Sequence, residues 1–386
     1  ESNKGYFVNT TSNACTVTLP ASPDVGDQVI LLDYARTWDT NAITIDSNGN
    51  NFQGQADTYT VDYDTEGQGI NIVYSGSTNG WIPNSDIANA LTPVAPVTQR
   101  ALFAFGSTGS LTSVKNLVNS SGVVASDVTG VGTARYGLAA SSYGGDKAIF
   151  AYGYTSGYVS MSNLVNNSGV VAADVSGVGS ARSGLGSSAY GGDKAIFGFG
   201  STGSYVSLTN LVNASGVIGA DVTGVGTARF GITATEYGGD KGIFGFGFTA
   251  AENLTGVTNL ISNSGVVASD VSAVGTARRY AAAAPYGLDK GIFAYGNTSG
   301  GGNVSMTNLV SNSGVVASDV SGVGTAREDP AATNYGGDKA IFGFGNSGSV
   351  TGVTNLVNNS GVIAADVSAV GTARDSLAAA GYSYSA

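Results

Sequence analysis

Carboxylates carry whatever acid–base chemistry this chain has. Its 386 residues include no histidine, one cysteine (Cys15) and two methionines, against 27 acidic and 16 basic side chains. Histidine catalysis, Ser-His-Asp triads, zinc sites of the Cys/His kind and a disulfide framework are excluded by composition. Glycoside hydrolysis needs two carboxylates, commonly ~5–10 Å apart across a sugar. Most acids in the second half of the chain recur at fixed spacing, and one active site needs only one set, so the recurring acids are assigned to structure. Those that break the pattern are Glu236, Glu252, Glu328, Asp329 and Asp375. Asp62-Tyr-Asp64-Thr-Glu66-Gly67 has the alternating carboxylates that calcium favours, but not the complete calcium loop, and reads as an acidic hairpin turn. No catalytic residue, metal site or cofactor is expected, and the chain reads as non-enzymatic.

The outlying acids interrupt a repeat. Gly-Thr-Ala-Arg, once Gly-Ser-Ala-Arg, ends at Arg135, Arg182, Arg229, Arg278, Arg327 and Arg374, at spacings of 47, 47, 49, 49 and 47 residues. A tyrosine stands eight residues after each arginine, from Tyr143 to Tyr382, and five of them lead into Gly-Gly-Asp-Lys or Gly-Leu-Asp-Lys. An apolar run follows, such as Ala148-Ile-Phe-Ala-Tyr-Gly153, then Asn-Leu-Val or Asn-Leu-Ile, then Ser-Gly-Val-Val or a variant, then Asp-Val. Short β-branched and aromatic runs bounded by Gly, Asn, Ser and Asp give four strands per unit. A four-strand repeat of this length falls in the range of β-propeller blades. The expected fold is all-β, a six-bladed β-propeller over 100–386. The repeat begins at strand 2 (Arg100) and ends at strand 1 (Tyr382), so the C-terminal strand is expected to complete the first blade. The recurring acid and arginine, Asp127 with Arg135 and its five successors, are expected to pair between strands and set the register; a charged ring at the channel is the alternative.

Residues 1–98 hold 11 acidic and two basic groups, most of the formal net charge of −11. With a pI near 4.3 the chain has no electrostatic footprint for nucleic acid or an anionic membrane. Residues 1–82 alternate instead of repeating, as in Cys15-Thr-Val-Thr-Leu19 and Gln28-Val-Ile-Leu-Leu32, and form a small β-module of six to eight strands joined by hairpins. Cys15 is expected to pack as a small hydrophobe. Residues 83–99, with Pro83, Pro93 and Pro96, read as a stiffened linker.

Two resemblances accompany this reading. Ala181-Arg182-Ser-Gly184, with Lys194-Ala-Ile-Phe-Gly-Phe-Gly200 at the place of the apolar run and double glycine, resembles the kelch blade of galactose-oxidase-like propellers. It departs from that family in lacking the strand-4 tryptophan and every histidine that copper chemistry needs, so only the fold carries over. Gly5-Tyr-Phe-Val-Asn-Thr10, Val17-Thr-Leu-Pro-Ala-Ser-Pro23, Ile43-Thr-Ile-Asp46 and Gly80-Trp81 resemble a β-module of tail-fibre and other virion proteins of tailed bacteriophages. That resemblance implies a virion or extracellular location, and docking to virion proteins or to further copies through the N-terminal module.

Strands of alternating direction put the 2–3 and 4–1 loops on one face and the 1–2 and 3–4 loops on the other. The second face repeats nearly unchanged; the first carries almost all the variation. Its 2–3 loops hold Tyr154, Tyr158, Tyr205, Phe248, Glu252 and Asn303, and the residues after each arginine include Tyr136, Phe230, Arg279-Tyr280, Glu328-Asp329 and Asp375. An asymmetric ligand needs repeats that differ, whereas drift on unconstrained loops is the plain alternative. The expected site is therefore aromatic: Tyr136, Phe230 and Tyr280 at the centre, Tyr154, Tyr205 and Phe248 around them, and Arg279 and Glu328 bonding the hydroxyls of a host-surface glycan. The competing function classes are a secreted or filament-forming structural protein without a specific ligand and a polysaccharide hydrolase.

Overall fold

A computed structural model describes residues 1–57, 61–85, 98–250, 253–272 and 274–384. The chain divides into two compact units, Glu1–Pro96 and Val97–Ala386, and every element among the described residues is a strand. Among the described residues no helix is long and apolar enough to cross a membrane.

Unit 1 holds β1 (Lys4–Val8), β2 (Cys15–Thr18), β3 (Gln28–Asp33), β4 (Ile43–Asp46), β5 (Val61–Tyr63), β6 (Gly69–Tyr74) and β7 (Trp81–Ser85). They form two sheets, ordered β1-β3-β6-β7 and β2-β4-β5. Alternation turns Val29, Leu31, Ile70 and Ile72 inward onto Trp38, Ile43, Ile45, Tyr63 and Trp81. The expected hairpins occur between β4 and β5 and between β6 and β7, which pair antiparallel. The expectation fails for the first strands: β1 pairs parallel with β3 and β2 parallel with β4, because the chain crosses from one sheet to the other between them. β7 runs to Ser85, three residues past the expected end of the module, with Pro83 in register with Ile72; positions 86–97 of the expected linker lie outside the described residues. Cys15 is exposed instead of packed, since it begins an edge strand beyond the core.

Unit 2 begins with β8 (Arg100–Ala104) and β9 (Lys115–Val118). Five antiparallel trios follow: β10 (Ala139–Tyr143), β11 (Lys147–Ala151) and β12 (Ser162–Val165); β13 (Gly186–Tyr190), β14 (Lys194–Gly198) and β15 (Thr209–Val212); β16 (Thr233–Tyr237), β17 (Lys241–Gly245) and β18 (Thr258–Ile261); β19 (Ala282–Tyr286), β20 (Lys290–Ala294) and β21 (Thr307–Val310); β22 (Ala331–Tyr335), β23 (Lys339–Gly343) and β24 (Thr354–Val357). The last strand, β25 (Ala378–Tyr382), joins β8 and β9 as a sixth trio, with Tyr382 opposite Arg100 as Tyr143 is opposite Lys147.

The expected fourth strand is reduced to two isolated bridges per sheet, such as Val118 with Val124 and Lys115 with Val128. Between the bridges a single backbone bond, such as Ala125 N–H to Leu117 O, holds the segment, and the intervening aspartate turns its side chain out toward a threonine or serine.

Consecutive sheets share apolar layers. One joins Ile149, Ala151 and Phe197 between the β10 and β13 sheets, and another joins Phe103, Ala379, Ile341 and Phe344 between the β22 and β25 sheets. Six such layers occur among the described residues. The central residues of the second strands, Ile149 and Phe150 and their counterparts, are fully buried, because apolar neighbours cover both sides of each middle strand.

Candidate functional site

The repeated charged residues serve the scaffold. Arg135 is buried; it donates Nε–H to the Tyr152 carbonyl at 2.8 Å and an Nη2 hydrogen to Asn163 Oδ1 at 2.7 Å. Its guanidinium lies 4.3 Å above the Phe105 ring of the preceding sheet, and all six repeat arginines sit 4.0–4.7 Å above such a ring. Burial lowers Arg135 to about 10 against the pull of Asp174, so it keeps its charge at neutral pH. The alternative of a charged ring at a channel fails, since the arginines have no exposed surface.

The partner also differs from expectation. Arg135 stands 3.9 Å from Asp174, not beside Asp127, and Asp174 accepts hydrogen bonds from Thr133 and Asn163. Each aspartate thus serves the Thr-Ala-Arg or Ser-Ala-Arg segment that opens its own sheet. The nearest arginine in sequence instead opens the next sheet. Burial opposes the charge of Asp174, yet the bonds from Thr133 and Asn163 hold its carboxyl below the usual range.

The aromatic platforms were not singled out from the sequence. Phe105, Tyr152, Phe199, Phe246, Tyr295 and Phe344 are buried with left-handed φ of 63–66°, a conformation that bulky residues avoid. They stand within the altered double glycine, where an aromatic ring is needed to receive the guanidinium. The available signal was that this residue stays aromatic in all six repeats.

The 4–1 segments meet in a ring of backbone bonds. Gly184 donates N–H to Gly137 O, Gly231 to Gly184 O, Tyr280 to Gly231 O, Asp329 to Tyr280 O, Ser376 to Asp329 O and Gly137 to Ser376 O, at 2.8–3.2 Å. All six residues have φ between 51° and 63°. Three are glycine and three carry side chains, so the ring has a bare half and a furnished half. A Cβ on Gly184 would meet the Phe230 ring at 2.2 Å, and this glycine is what lets that ring lie inward.

Around this ring the residue after each arginine bridges the following 2–3 loop: Tyr136 with Tyr154, Phe230 with Phe248, Arg279 with Asn297, and Glu328 with Asn346. Most of the expected site residues are brought together. Phe230 stacks on Tyr205 at 5.7 Å and meets Phe248 edge-on at 5.3 Å; Tyr280 stands 6.1 Å from Phe230 and 5.9 Å from Phe248. Arg279 lies over Phe248 at 5.3 Å and Tyr280 at 5.2 Å, with Nε buried and without a hydrogen-bond partner among the described residues. Tyr136, Tyr154 and Tyr158 form a second cluster two sheets away, with centroids 5.6 and 5.2 Å apart. Phe248 is the most buried of the aromatic site residues and acts as a base under the others.

Glu328, Asp329 and Asp375 share the furnished side. Burial, then Asp375 and Glu328, raises the Asp329 carboxyl well above its ordinary value; Glu328 is raised by burial and Asp375 against the pull of Arg279. Burial raises the Tyr280 hydroxyl too. Glu236 lies elsewhere, just before a repeat tyrosine, and burial followed by Asp240 pushes it up to about 8. Glu252 lies outside the described residues. Asp62 accepts from Thr44 and Glu66 pairs with Arg36, and no metal-holding group of acids occurs among the described residues.

The opposite face is uniform. Gly144 donates N–H to Asp193 O, Gly191 to Asp240 O, Gly238 to Asp289 O and Gly287 to Asp338 O, and each lysine beside such an aspartate pairs with it at the surface.

Compared with protein-family models and with curated proteins, the chain matches none. The arrangement itself offers a rigid floor of backbone amides, a wall of aromatic rings, one guanidinium and a group of neighbouring carboxyls. Such a surface can hold a polyhydroxylated ligand by ring contact and hydrogen bonds.

Proposed function

We propose that this chain is a non-enzymatic appendage protein of a bacteriophage-like virion. On this reading it attaches through unit 1 and recognises a host-surface saccharide with the 2–3/4–1 face of unit 2. The six sheets are then the blades of a closed, kelch-like propeller. Six sheets in an open row share five interfaces, whereas six apolar layers are present, and β25 completes the sheet of β8. Attachment through unit 1 is supported by an apolar outer face on its larger sheet, where Phe7, Ile30, Leu32 and Tyr34 are exposed and Phe7 is in register with Leu32. The occupant of that face is taken to be further copies of the chain.

One observation carries recognition. The two faces rest on the same repeated scaffold, yet almost all the variation lies on one of them, and there the differences gather into two aromatic clusters, one of them beside Arg279. Stiff aromatic rings on a rigid frame lose little entropy on binding. The test is binding of the purified chain to an array of host-surface saccharides, with reducing-end release measured in the same samples. Binding without release is expected. Release would favour the hydrolase reading through Glu328, Asp329 and Asp375, and no binding would leave a structural protein without a ligand.

A further inference from the structure

The rings on the variable face form an arc that ends in a groove. From Tyr280 the rings pass to Phe248 and Phe230, then to Tyr205, stacked on Phe230 with an interplanar angle of 12°. Tyr205 bridges Ser201, whose Oγ lies 3.4 Å from the Tyr158 hydroxyl. Tyr158 meets Tyr154 edge-on. Beyond Tyr158 the surface opens into a groove of ≈ 440 Å³, lined by Met161 and by Asp174, Val175 and Ala181. The arc thus spans four consecutive sheets, and the groove lies within the size range of small-ligand sites.

A single terminal sugar is held by one or two rings. Here ring follows ring over four sheets, with Phe248 beneath them, an open trough beside Tyr158 and the carboxyls of Glu328 and Asp329 near Tyr280. Asp174 adds a carboxylate to the trough, and the formal charge of the chain is −11. Like charges close to a bound anion oppose it.

We propose that the variable face takes a neutral linear saccharide chain of several units, lying along the arc from Tyr280 to the groove beside Tyr158, and not a single terminal sugar. This rests on the saccharide reading above. Each ring along the arc then contributes modestly, and successive units of one chain add their contacts.

The test uses the full chain against immobilised linear polysaccharides, neutral and uronate-containing, and against the mono- and disaccharides that compose them. For the polysaccharide that binds, competition is measured with fragments from the disaccharide upward. Competition is expected to strengthen at least ~10-fold between the disaccharide and the octasaccharide. Tyr158→Ala with Met161→Ala should abolish most of that gain with length, and Tyr158→Leu keeps the apolar volume should the first pair disturb folding. Disaccharides that compete as well as long fragments, a length dependence untouched by these variants, or preference for the uronate chain would each overturn this inference and leave saccharide recognition standing. Absence of binding to every saccharide would overturn the recognition reading itself.

Discussion

Thr372 donates its backbone N–H at 3.0 Å, and its hydroxyl, to the carboxylate of Asp127, which stands 245 residues earlier in the chain. The same contact joins Thr133 to Asp174 over 41 residues and Thr227 to Asp270 over 43. The chemistry that sets register within an internal repeat therefore also ties the two ends of unit 2. Asp127→Ala and Asp221→Ala are expected to lower stability to denaturant equally, by about 2 kcal/mol each, because each removes hydrogen bonds to a charged acceptor. If Asp127→Ala is silent while Asp221→Ala is costly, the chain ends are not held in this way.

Removing β25 is expected to cost far more than any single substitution. A chain ending at residue 374 leaves one edge of β8 unpaired and strips the apolar layers that contain Leu377, Ala378 and Ala380. Exposed strand edges invite association. Size-exclusion chromatography should show soluble aggregates, and unfolding should lose its single sharp transition; a monodisperse chain with unchanged unfolding would contradict the role of β25.

Arg182 and Arg279 should respond differently to the same change. Arg182 is buried against the Tyr152 ring and bonds Asn210 and two carbonyls, and lysine cannot reproduce that planar fork. Arg182→Lys is expected to lower stability by roughly 3 kcal/mol, a loss typical of breaking a buried charge network. Arg279→Lys lies at the variable face and should change thermal unfolding little while weakening ligand binding. Equal thermal effects would contradict this division of labour.

Acid and alkali should destabilise the protein for opposite reasons. Asp127, Asp174 and their counterparts are held below the ordinary carboxylate value, so their contribution is complete above it and is lost as pH falls through the lowered values. Glu236 is pushed up to about 8 and Asp329 well above its ordinary value, so their protonated forms favour the fold and stability falls as pH rises toward 8. Melting temperature should therefore peak near pH ~5. Glu236→Gln with Asp329→Asn should flatten the alkaline limb only, and a limb unchanged in that variant would assign the loss elsewhere.

Phe230→Ala and Tyr280→Ala should weaken saccharide binding about tenfold each, the worth of one aromatic contact, while the fold persists. Neither residue belongs to the repeated layers between sheets. Lys194→Ala on the uniform face should leave binding unchanged, since its pairing with Asp193 is a surface contact. If binding survives the first two changes and fails with the third, the variable face is not the binding face.

Much of this architecture was legible from period and register. The spacing of Arg135, Tyr143, Asp146 and Asn163 implied repeated β units, and the place of Tyr382 in the repeat implied that β25 would meet β8. Both follow from local patterning, because a strand repeats its inward residues every second position and a turn needs Gly or Asp at a fixed place. The variable positions Phe230, Tyr280 and Arg279 were legible for the complementary reason, that they depart from what the scaffold repeats.

Partner choice was not legible. Asp174 serves Arg135 and not Arg182, its neighbour in sequence, because the loop after the outer segment carries the chain into the next sheet before the next arginine arrives. Nor could the pattern show that Phe105 and its counterparts adopt left-handed backbone to carry the guanidinium of the neighbouring sheet, or that Cys15 lies outside its core. The sequence by itself determined that the chain repeats a four-segment β unit, where each unit turns, and which positions vary. Tertiary structure alone decided which aspartate meets which arginine and which aromatic rings converge. The aspartate–arginine contacts join residues 39 or more apart in the chain, and rings such as Phe230 and Tyr280 come from neighbouring sheets, so the closing of each sheet and the packing of one on the next, not any local preference, bring them within reach.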